Sequence, residues 1–354
     1  MIPPNAPQAS NNFDLLRLLF AAVVCVVHAY DLSGMPDLAW TRDWLSSMLA
    51  IKAFFVISGF LIMMSYERSR SWRDYADRRL RRIYPAYAAI VLLCAFGLVF
   101  VSSVPASTYF TSDLWWKYVL ANLGFMNFLQ HELPGVFGGH RLAAVNGALW
   151  TLKIEVMFYL SVPILVWLIR RLGAWPVLLA GFVASTVWSM GFEYWGRETG
   201  LPIYDELARQ LPGQLRYFLA GAAGWYLPAL LERHRLAKGL LAVGLLALVG
   251  VLPGLAVLEP IALAALVLIV ARGPQLPSPA RWGDFSYGVY IVHFPVIQLA
   301  IHFGATALGG LPFLLLTLSL TLLGGVVFWH GIEKRFLRRD SHYRQAGQGV
   351  RAPS

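Results

Sequence analysis

Charged residues are scarce in this chain. Only 14% of its 354 residues are Asp, Glu, Lys or Arg, and 58% are hydrophobic, whereas a typical soluble domain carries about 25% charged residues. The mean hydropathy is +0.58, and several apolar runs approach the roughly 20 residues that one bilayer crossing needs. This composition excludes a soluble single-domain enzyme and predicts an all-α polytopic membrane protein.

Cysteine is nearly absent as well. The two cysteines, Cys25 and Cys94, both lie inside apolar runs, which excludes a disulfide framework and any zinc-binding spacing. We therefore expect no metal. The first twelve residues contain neither Lys nor Arg, and the apolar run after them has no cleavage-site pattern, so it predicts a retained first span instead of a signal peptide.

Hydropathy and turn signals predict ten transmembrane helices. They cover residues 13–32, 45–65, 84–103, 147–169, 174–190, 214–231, 236–252, 255–271, 285–304 and 311–331. Only Pro253 and Gly254 divide the seventh from the eighth. We interpret them as a tight hairpin turn, and one long kinked helix is the alternative. Residues 1–332 then form the membrane domain, and residues 333–354 form a basic cytoplasmic tail.

The net charge is +10, and the distribution of the basic residues along the chain predicts the orientation in the membrane. With both termini in the cytoplasm, 21 of the 29 basic residues fall in inner segments and 5 in outer loops, which is the usual bias of membrane proteins. The positive charge therefore needs no nucleic-acid partner. The segment 114–130 is apolar enough to be an eleventh span, but a crossing there would invert this bias, so we predict a re-entrant or interfacial helix.

The few ionisable side chains inside the predicted spans are candidate functional residues, because charge is costly in hydrocarbon. The informative ones are Arg17, His28, Lys52 and Glu155. Arg17 and His28 are eleven residues apart on one helix, about 16 Å along its axis and on the same face. Lys52 and Glu155 are predicted at a depth similar to that of His28. A buried histidine with a carboxylate in reach is typical of a general base; a purely structural polar contact is the alternative.

An arginine at the membrane surface and a histidine deeper on the same face suit a ligand with an anionic head and a reactive tail. Coenzyme A has this form, with phosphates that favour arginine. The segment 66–83 adds seven arginines and no lysine, a bias toward bidentate phosphate recognition. Ordinary positive-inside charge accounts for part of that bias.

Five motifs on five predicted spans occur in the order found in one family. They are FDLLR followed by His28 at Arg-x10-His spacing, FFVISGFLI at 54–62, RRLRRIYPAY at 78–87, WTLKIEVMFY at 150–159 and FSYGVYIVHFPV at 285–296. On these residues the chain resembles the acyltransferase-3 family of membrane acyltransferases. The resemblance implies a ten-helix core in the bacterial inner membrane that moves an acyl group, usually acetyl, from cytoplasmic acyl-CoA to a hydroxyl of a cell-surface saccharide.

The resemblance also implies roles for single residues. His28 would be the catalytic base or a transient acyl carrier, and Glu155 would orient it or balance its charge. The CoA phosphates would be held by Arg17, Arg78, Arg79, Arg81 and Arg82. Ser58 and Tyr287 would belong to the CoA-binding part, with helix packing as the alternative for Ser58 and Gly59. Lys52, Tyr290 and His293 would line the substrate cavity, and a structural role is equally compatible with His293.

Two features depart from the pattern of many family members. His28 is followed by Ala29 and Tyr30, so no second histidine stands beside it in the sequence to share proton transfer. We expect no SGNH-type domain after the membrane core, and we therefore expect the core itself, or a glycan-assembly partner protein, to reach the acceptor. A transporter or flippase of a lipid-linked sugar, and a membrane scaffold or sensor with structural charges, remain the rival classes. The acceptor, the acyl chain length and the oligomeric state are not specified by the residues.

Overall fold

A computed structural model describes residues 11–232, 234–278, 282–339 and 341. Within these ranges the chain forms helices and loops and contains no β-strand. Most of the predicted tail, together with Arg233 and Arg281 from the charge count, lies outside the described residues.

Eleven helices of eleven or more residues organise the described chain. They are α1 (Phe13–Ser33), α2 (Ser47–Glu67), α3 (Trp72–Gly97), α4 (Asp113–Leu123), α5 (Trp150–Leu172), α6 (Ala174–Thr199), α7 (Leu211–Tyr226), α8 (Arg235–Val251), α9 (Glu259–Ala271), α10 (Ser286–His302) and α11 (Gly310–Phe328). Shorter α-helices lie at Trp40–Trp44, Ala106–Thr111, Pro202–Ala208, Ala229–Glu232 and Lys334–Phe336. A π-helical turn, Trp329–Glu333, directly follows α11.

Seven stretches of the described chain are long and apolar enough to cross a membrane. They are Phe13–Ser33, Ser47–Glu67, Trp72–Val101, Gly147–Leu172, Ala174–Thr199, Gly254–Ala271 and Gly310–Phe336. This multiplicity confirms an all-helical, multi-pass membrane protein. The other three predicted spans correspond to α7, α8 and α10, which have 16, 17 and 17 residues. These helices reach only about 24 to 26 Å at 1.5 Å per residue, so the total of ten spans and the orientation remain predictions.

The structure gives the secondary structure of two segments for which the sequence left alternatives open. A turn of 3-10 helix, Pro253–Leu258, separates α8 from α9, and the two helices contact each other, as in a hairpin. The segment 114–130 contains the 11-residue helix α4 and a 3-10 turn, Asn127–Leu129. Its placement relative to the bilayer remains a prediction.

The helices fall into two compact units. Unit 1 comprises the described parts of Met1–Leu16, Ile51–Ala76 and Ile154–Pro277, and unit 2 comprises those of Arg17–Ala50, Asp77–Lys153 and Ser278–Ser354. In unit 1, glycines allow α2 and α7 to touch backbone to backbone. A Cβ on Gly59 would stand 1.9 Å from the Phe218 carbonyl oxygen, and one on Gly221 would stand 2.0 Å from that of Val56. Gly59 therefore serves close packing.

Unit 2 is built around the contact of α10 with α11. A Cβ on Gly288 would lie 2.9 Å from the Gly325 carbonyl oxygen, and one on Gly324 would lie 2.6 Å from the Val292 side chain. The apolar helix α10 is buried along most of its length. The polar side chains of α10 are therefore held in place by the residues packed around them.

Candidate active site

Two histidines meet inside unit 2. The Nδ1 atom of His28 on α1 lies 2.9 Å from the Nε2 atom of His293 on α10, and the two rings are stacked with their centroids 5.1 Å apart. His293 is fully buried, whereas His28 is half-buried. The second histidine that the sequence lacks beside His28 is thus supplied in space by a helix about 260 residues further along the chain.

The hydrogen-bond partners of the two histidines indicate which of their ring nitrogens carry a hydrogen. Nδ1 of His293 lies 2.5 Å from the Tyr290 carbonyl oxygen, which only accepts, so this nitrogen carries the hydrogen. Nε2 of a neutral His293 is then an acceptor, and His28 donates to it from Nδ1. The lone pair of His28 therefore sits on Nε2, the nitrogen that remains for chemistry.

A proline in α10 helps to fix this arrangement. Pro295 has no N–H, so the carbonyl of Ile291, four residues earlier, lacks its helical partner. The side-chain amide of Asn146 donates to that carbonyl at 2.8 Å. Tyr290, one turn from His293, shares a hydrogen bond of 2.7 Å with Thr151. The residues before and at the start of α5 thereby anchor the histidine-bearing part of α10.

A buried cluster of four charged side chains lies at the other end of the same helices. Oδ2 of Asp284, two residues before α10, accepts hydrogen bonds from Arg17 at 2.6 Å and from Arg82 at 2.5 Å. Arg82 also donates to Glu333 at 2.6 Å. The side chains of Arg82, Asp284 and Glu333 are at most 5% exposed, and that of Arg17 is 15% exposed. Each arginine thus contacts at least one carboxyl group, as buried charges require.

The Asp284 carboxylate also belongs to the start of α10. Its Oδ1 accepts from the backbone N–H of Ser286 at 3.2 Å and from the Ser286 hydroxyl at 2.5 Å. Burial alone would raise the pKa of Asp284, but Arg17 and Arg82 outweigh it and hold the pKa below its usual range. The carboxylate is therefore charged at neutral pH.

The other predicted residues of unit 2 surround this cluster. The Tyr287 hydroxyl donates to the Ile83 carbonyl at 3.0 Å, and its ring lies 5.5 Å from the Arg82 guanidinium carbon. Arg81 is exposed and pairs with Asp77 at 2.7 Å. Arg78 and Arg79 are half-buried on the same helix. The arginine-rich start of α3 therefore presents guanidinium groups in both buried and exposed positions.

Three predicted residues belong to unit 1. Nζ of Lys52 lies 2.8 and 3.0 Å from the two carboxylate oxygens of Glu259, and 5.2 Å from the Tyr217 ring centroid. Glu155 accepts a hydrogen bond of 2.6 Å from the Tyr159 hydroxyl on the next turn of α5. Ser58 is half-buried beside the packing glycine. The predicted link between Glu155 and His28 remains a prediction.

Sequence reasoning missed four residues of unit 2, namely Asp284, Glu333, Asn146 and Thr151. Asp284 and Glu333 stand at the edges of apolar runs and look like interfacial charges. A usable signal existed, because a buried arginine requires a counter-charge. Among the described residues, no group of three His, Cys, Asp or Glu side chains is arranged to hold a metal ion.

The fold and this site define a multi-pass membrane protein with two paired histidines and a buried cluster of ion pairs among its helices. Comparison with known proteins then gives the family. The acyltransferase-3 model, an acyltransferase domain, matches residues 10–330. The chain belongs to this family and is a membrane O-acyltransferase.

Individual relatives agree with this assignment. The chain is 29% identical to an O-acetyl transferase of Shigella phage Sf6 over 94% of its own length and 97% of the relative. It is 28% identical to nodulation protein 10 of Rhizobium leguminosarum bv. viciae over 83% of the chain and 84% of the relative. A shorter match, 28% identical over 46% of the chain, covers 27% of O-acetyltransferase OatA of Staphylococcus aureus. No solved structure matches.

Proposed function

We propose that this protein transfers an acyl group, most simply acetyl, from cytoplasmic acyl-CoA to a hydroxyl of a cell-surface saccharide, at or across the bacterial inner membrane. The observation that carries the proposal is the His28–His293 pair, which leaves Nε2 of His28 as an unprotonated nitrogen in a half-buried position. The family assignment supplies the class of reaction. O-acetyl transfer by the phage relative supports acetyl as the group moved.

His28 serves this chemistry in one of two ways. As a base, its Nε2 takes the proton of the acceptor hydroxyl while that oxygen attacks the thioester carbonyl; the C–O bond forms, the C–S bond breaks, and the proton passes to the CoA thiolate. As a carrier, Nε2 itself attacks the thioester carbonyl and CoA leaves as the thiolate. The acceptor hydroxyl oxygen then attacks the acyl carbon, the C–O bond forms, the C–N bond of the acyl-imidazole breaks, and the hydroxyl proton balances the CoA thiolate. In both routes positive charge develops on His28, and the His293 acceptor stabilises it.

The remaining residues would bind and orient the substrates. The CoA phosphates suit the guanidinium groups near the start of α3, since planar guanidinium pairs well with phosphate. Arg78, Arg79 and Arg81 are assigned to the phosphates and Tyr287 to the donor beside them, and Ser58 keeps the donor-binding role that the resemblance implies. Arg17 and Arg82 contribute to the same region although each already contacts Asp284. Tyr290 is assigned to the saccharide, and Lys52 and Glu155 keep the saccharide-binding and charge-balancing roles that the resemblance implies.

Replacing His28 tests the proposal. The assay measures transfer of labelled acetyl from acetyl-CoA to the surface polysaccharide of the bacterium that produces the protein, after alkali has removed its acetyl groups. We expect His28→Ala to lower the rate of this transfer by at least about a hundredfold, which is the usual contribution of a general base. The melting temperature of the purified protein would stay near that of the wild type. His131→Ala, at an exposed histidine, is the matched control and would remain active. A folded His28→Ala protein with full activity would refute the proposal.

Trapping separates the two routes. Incubation with labelled acetyl-CoA and no saccharide, followed by rapid denaturation, leaves label on the protein only if His28 carries the acyl group. Such label would be released by hydroxylamine and would be missing in His28→Ala. Unlabelled protein with normal turnover identifies His28 as a base.

A further inference from the structure

Two contacts within unit 2 join α1 to the α10 segment. Arg17 pairs with Asp284 at one end, and His28 contacts His293 at the other. Arg17 and His28 are eleven residues apart, about 16 Å along an α-helix. Asp284 stands two residues before α10, and His293 is seven residues, about 10 Å, from the first residue of that helix. Two links at different levels limit how far one segment can slide along the other.

Asp284 is the junction of this arrangement. Its Oδ2 accepts from both Arg17 and Arg82, and Arg82 reaches on to Glu333 in the π turn after α11. Segments from α1, α3 and the end of α11 therefore converge on the residue that precedes α10. An exposed ion pair would hold them weakly, but this carboxylate is 2% exposed, so its loss removes a buried counter-charge that two guanidinium groups share.

We propose that Asp284 is a positioning residue, which sets the spacing of His28 and His293 by tying Arg17 and Arg82 to the start of α10. The inference rests on the proposed function of the histidine pair. Its effect on rate follows from geometry, because a displacement of about 1 Å from the reactive arrangement can cost roughly a hundredfold in rate.

Kinetics of Asp284→Asn with acetyl-CoA and the alkali-deacetylated polysaccharide test this role. We expect kcat to fall by about tenfold to a hundredfold, with the KM for acetyl-CoA within about twofold of the wild type. Asp284→Glu keeps the charge and would recover part of kcat. Asp113→Asn, at an exposed aspartate in the same unit, is the matched control. A lower KM with unchanged kcat would overturn the inference, because Asp284 would then merely compete with phosphate for the arginines.

A distance measurement that needs no activity completes the test. His28→Cys and His293→Cys are combined in a chain whose native cysteines are replaced by alanine, and the pair is bridged in membranes with dibromobimane. We expect efficient bridging with Asp284 present and at least a threefold lower yield with Asp284→Asn. If Asp284→Asn does not fold, Asp284→Glu is expected to show an intermediate loss of both kcat and bridging.

Unchanged bridging and unchanged kcat in a folded Asp284 variant would overturn the inference while leaving the proposed function intact. Conversely, an active His28→Ala protein combined with Asp284-dependent bridging would refute the proposed function and retain the spacing role. The two failures are therefore distinguishable.

Discussion

The two units bury charge in different ways. In unit 1, Lys52 pairs with Glu259, and the two side chains keep 19% and 15% of their surface exposed. In unit 2, two arginines and two carboxylates share contacts, and three of the four side chains are at most 5% exposed. Loss of a single pair affects the two residues that form it, whereas loss of a shared carboxylate affects every helix that contributes a partner. The difference predicts that unit 2 is the more sensitive to loss of one charge.

The largest effect on stability is expected from Arg82→Met. This change removes the guanidinium partner of Glu333 and one of the partners of Asp284. Breaking a buried pair by removing one member typically costs about 3–5 kcal/mol, and reversible unfolding in mixed micelles would measure it. Arg81→Met, one residue earlier and exposed, is the control and would cost no more than about 1 kcal/mol. Equal stability of the two variants would contradict the difference between shared and single pairs.

Unit 1 depends more on close backbone packing, and Gly59→Ala tests that dependence. The added Cβ would stand 1.9 Å from the Phe218 carbonyl oxygen, so α2 and α7 must separate. Overpacking of this kind costs about 1–3 kcal/mol. Gly244→Ala on α8, where nothing lies within 4 Å of the new Cβ, is the matched control and would be neutral or slightly stabilising, since alanine favours helix. An unchanged free energy of unfolding for Gly59→Ala would contradict this close contact between α2 and α7.

The smallest effect is expected at the Lys52–Glu259 pair. A double-mutant cycle of Lys52→Met and Glu259→Gln would give a coupling energy of about 0.5–3 kcal/mol, the range for residues in contact. The corresponding cycle at Arg42 and Asp31, a more exposed pair, would give at most about 1 kcal/mol. A higher KM for the polysaccharide in a folded Lys52→Met protein would support its assignment to the cavity. Coupling as large as the loss at Arg82 would remove the contrast between the units.

Sequence patterns predicted the helices well because apolar runs are local. Seven predicted spans reappear as helices of sufficient length, and Arg17 and His28 both lie on α1, as their spacing requires. The hairpin between α8 and α9 followed from Pro253 and Gly254. These features depend on residues that are near one another in the chain.

The site was less predictable because its contacts join distant residues. His28 meets His293 across 265 positions, and Arg82 meets Glu333 across 251. No local periodicity encodes such pairs. The carbonyl of Ile291 carries a local signal, since Pro295 lacks the N–H that would bond to it in a helix, but this signal was not used. Sequence alone did not identify Asn146 as the replacement donor.

The π turn at Trp329–Glu333 amounts to one residue inserted into an α-helix, a device often found at functional sites. Because each helical residue turns the chain by about 100°, the insertion redirects everything that follows, including the carboxylate of Glu333. Gly331 lies in the turn with no atom within 4 Å of a Cβ placed there, so crowding at that point does not impose it. Deletion of one residue here would keep the charged side chains but would change the direction in which the Glu333 carboxylate points. The pairing of charges in the cluster thus depends on the length of the polypeptide as much as on its composition.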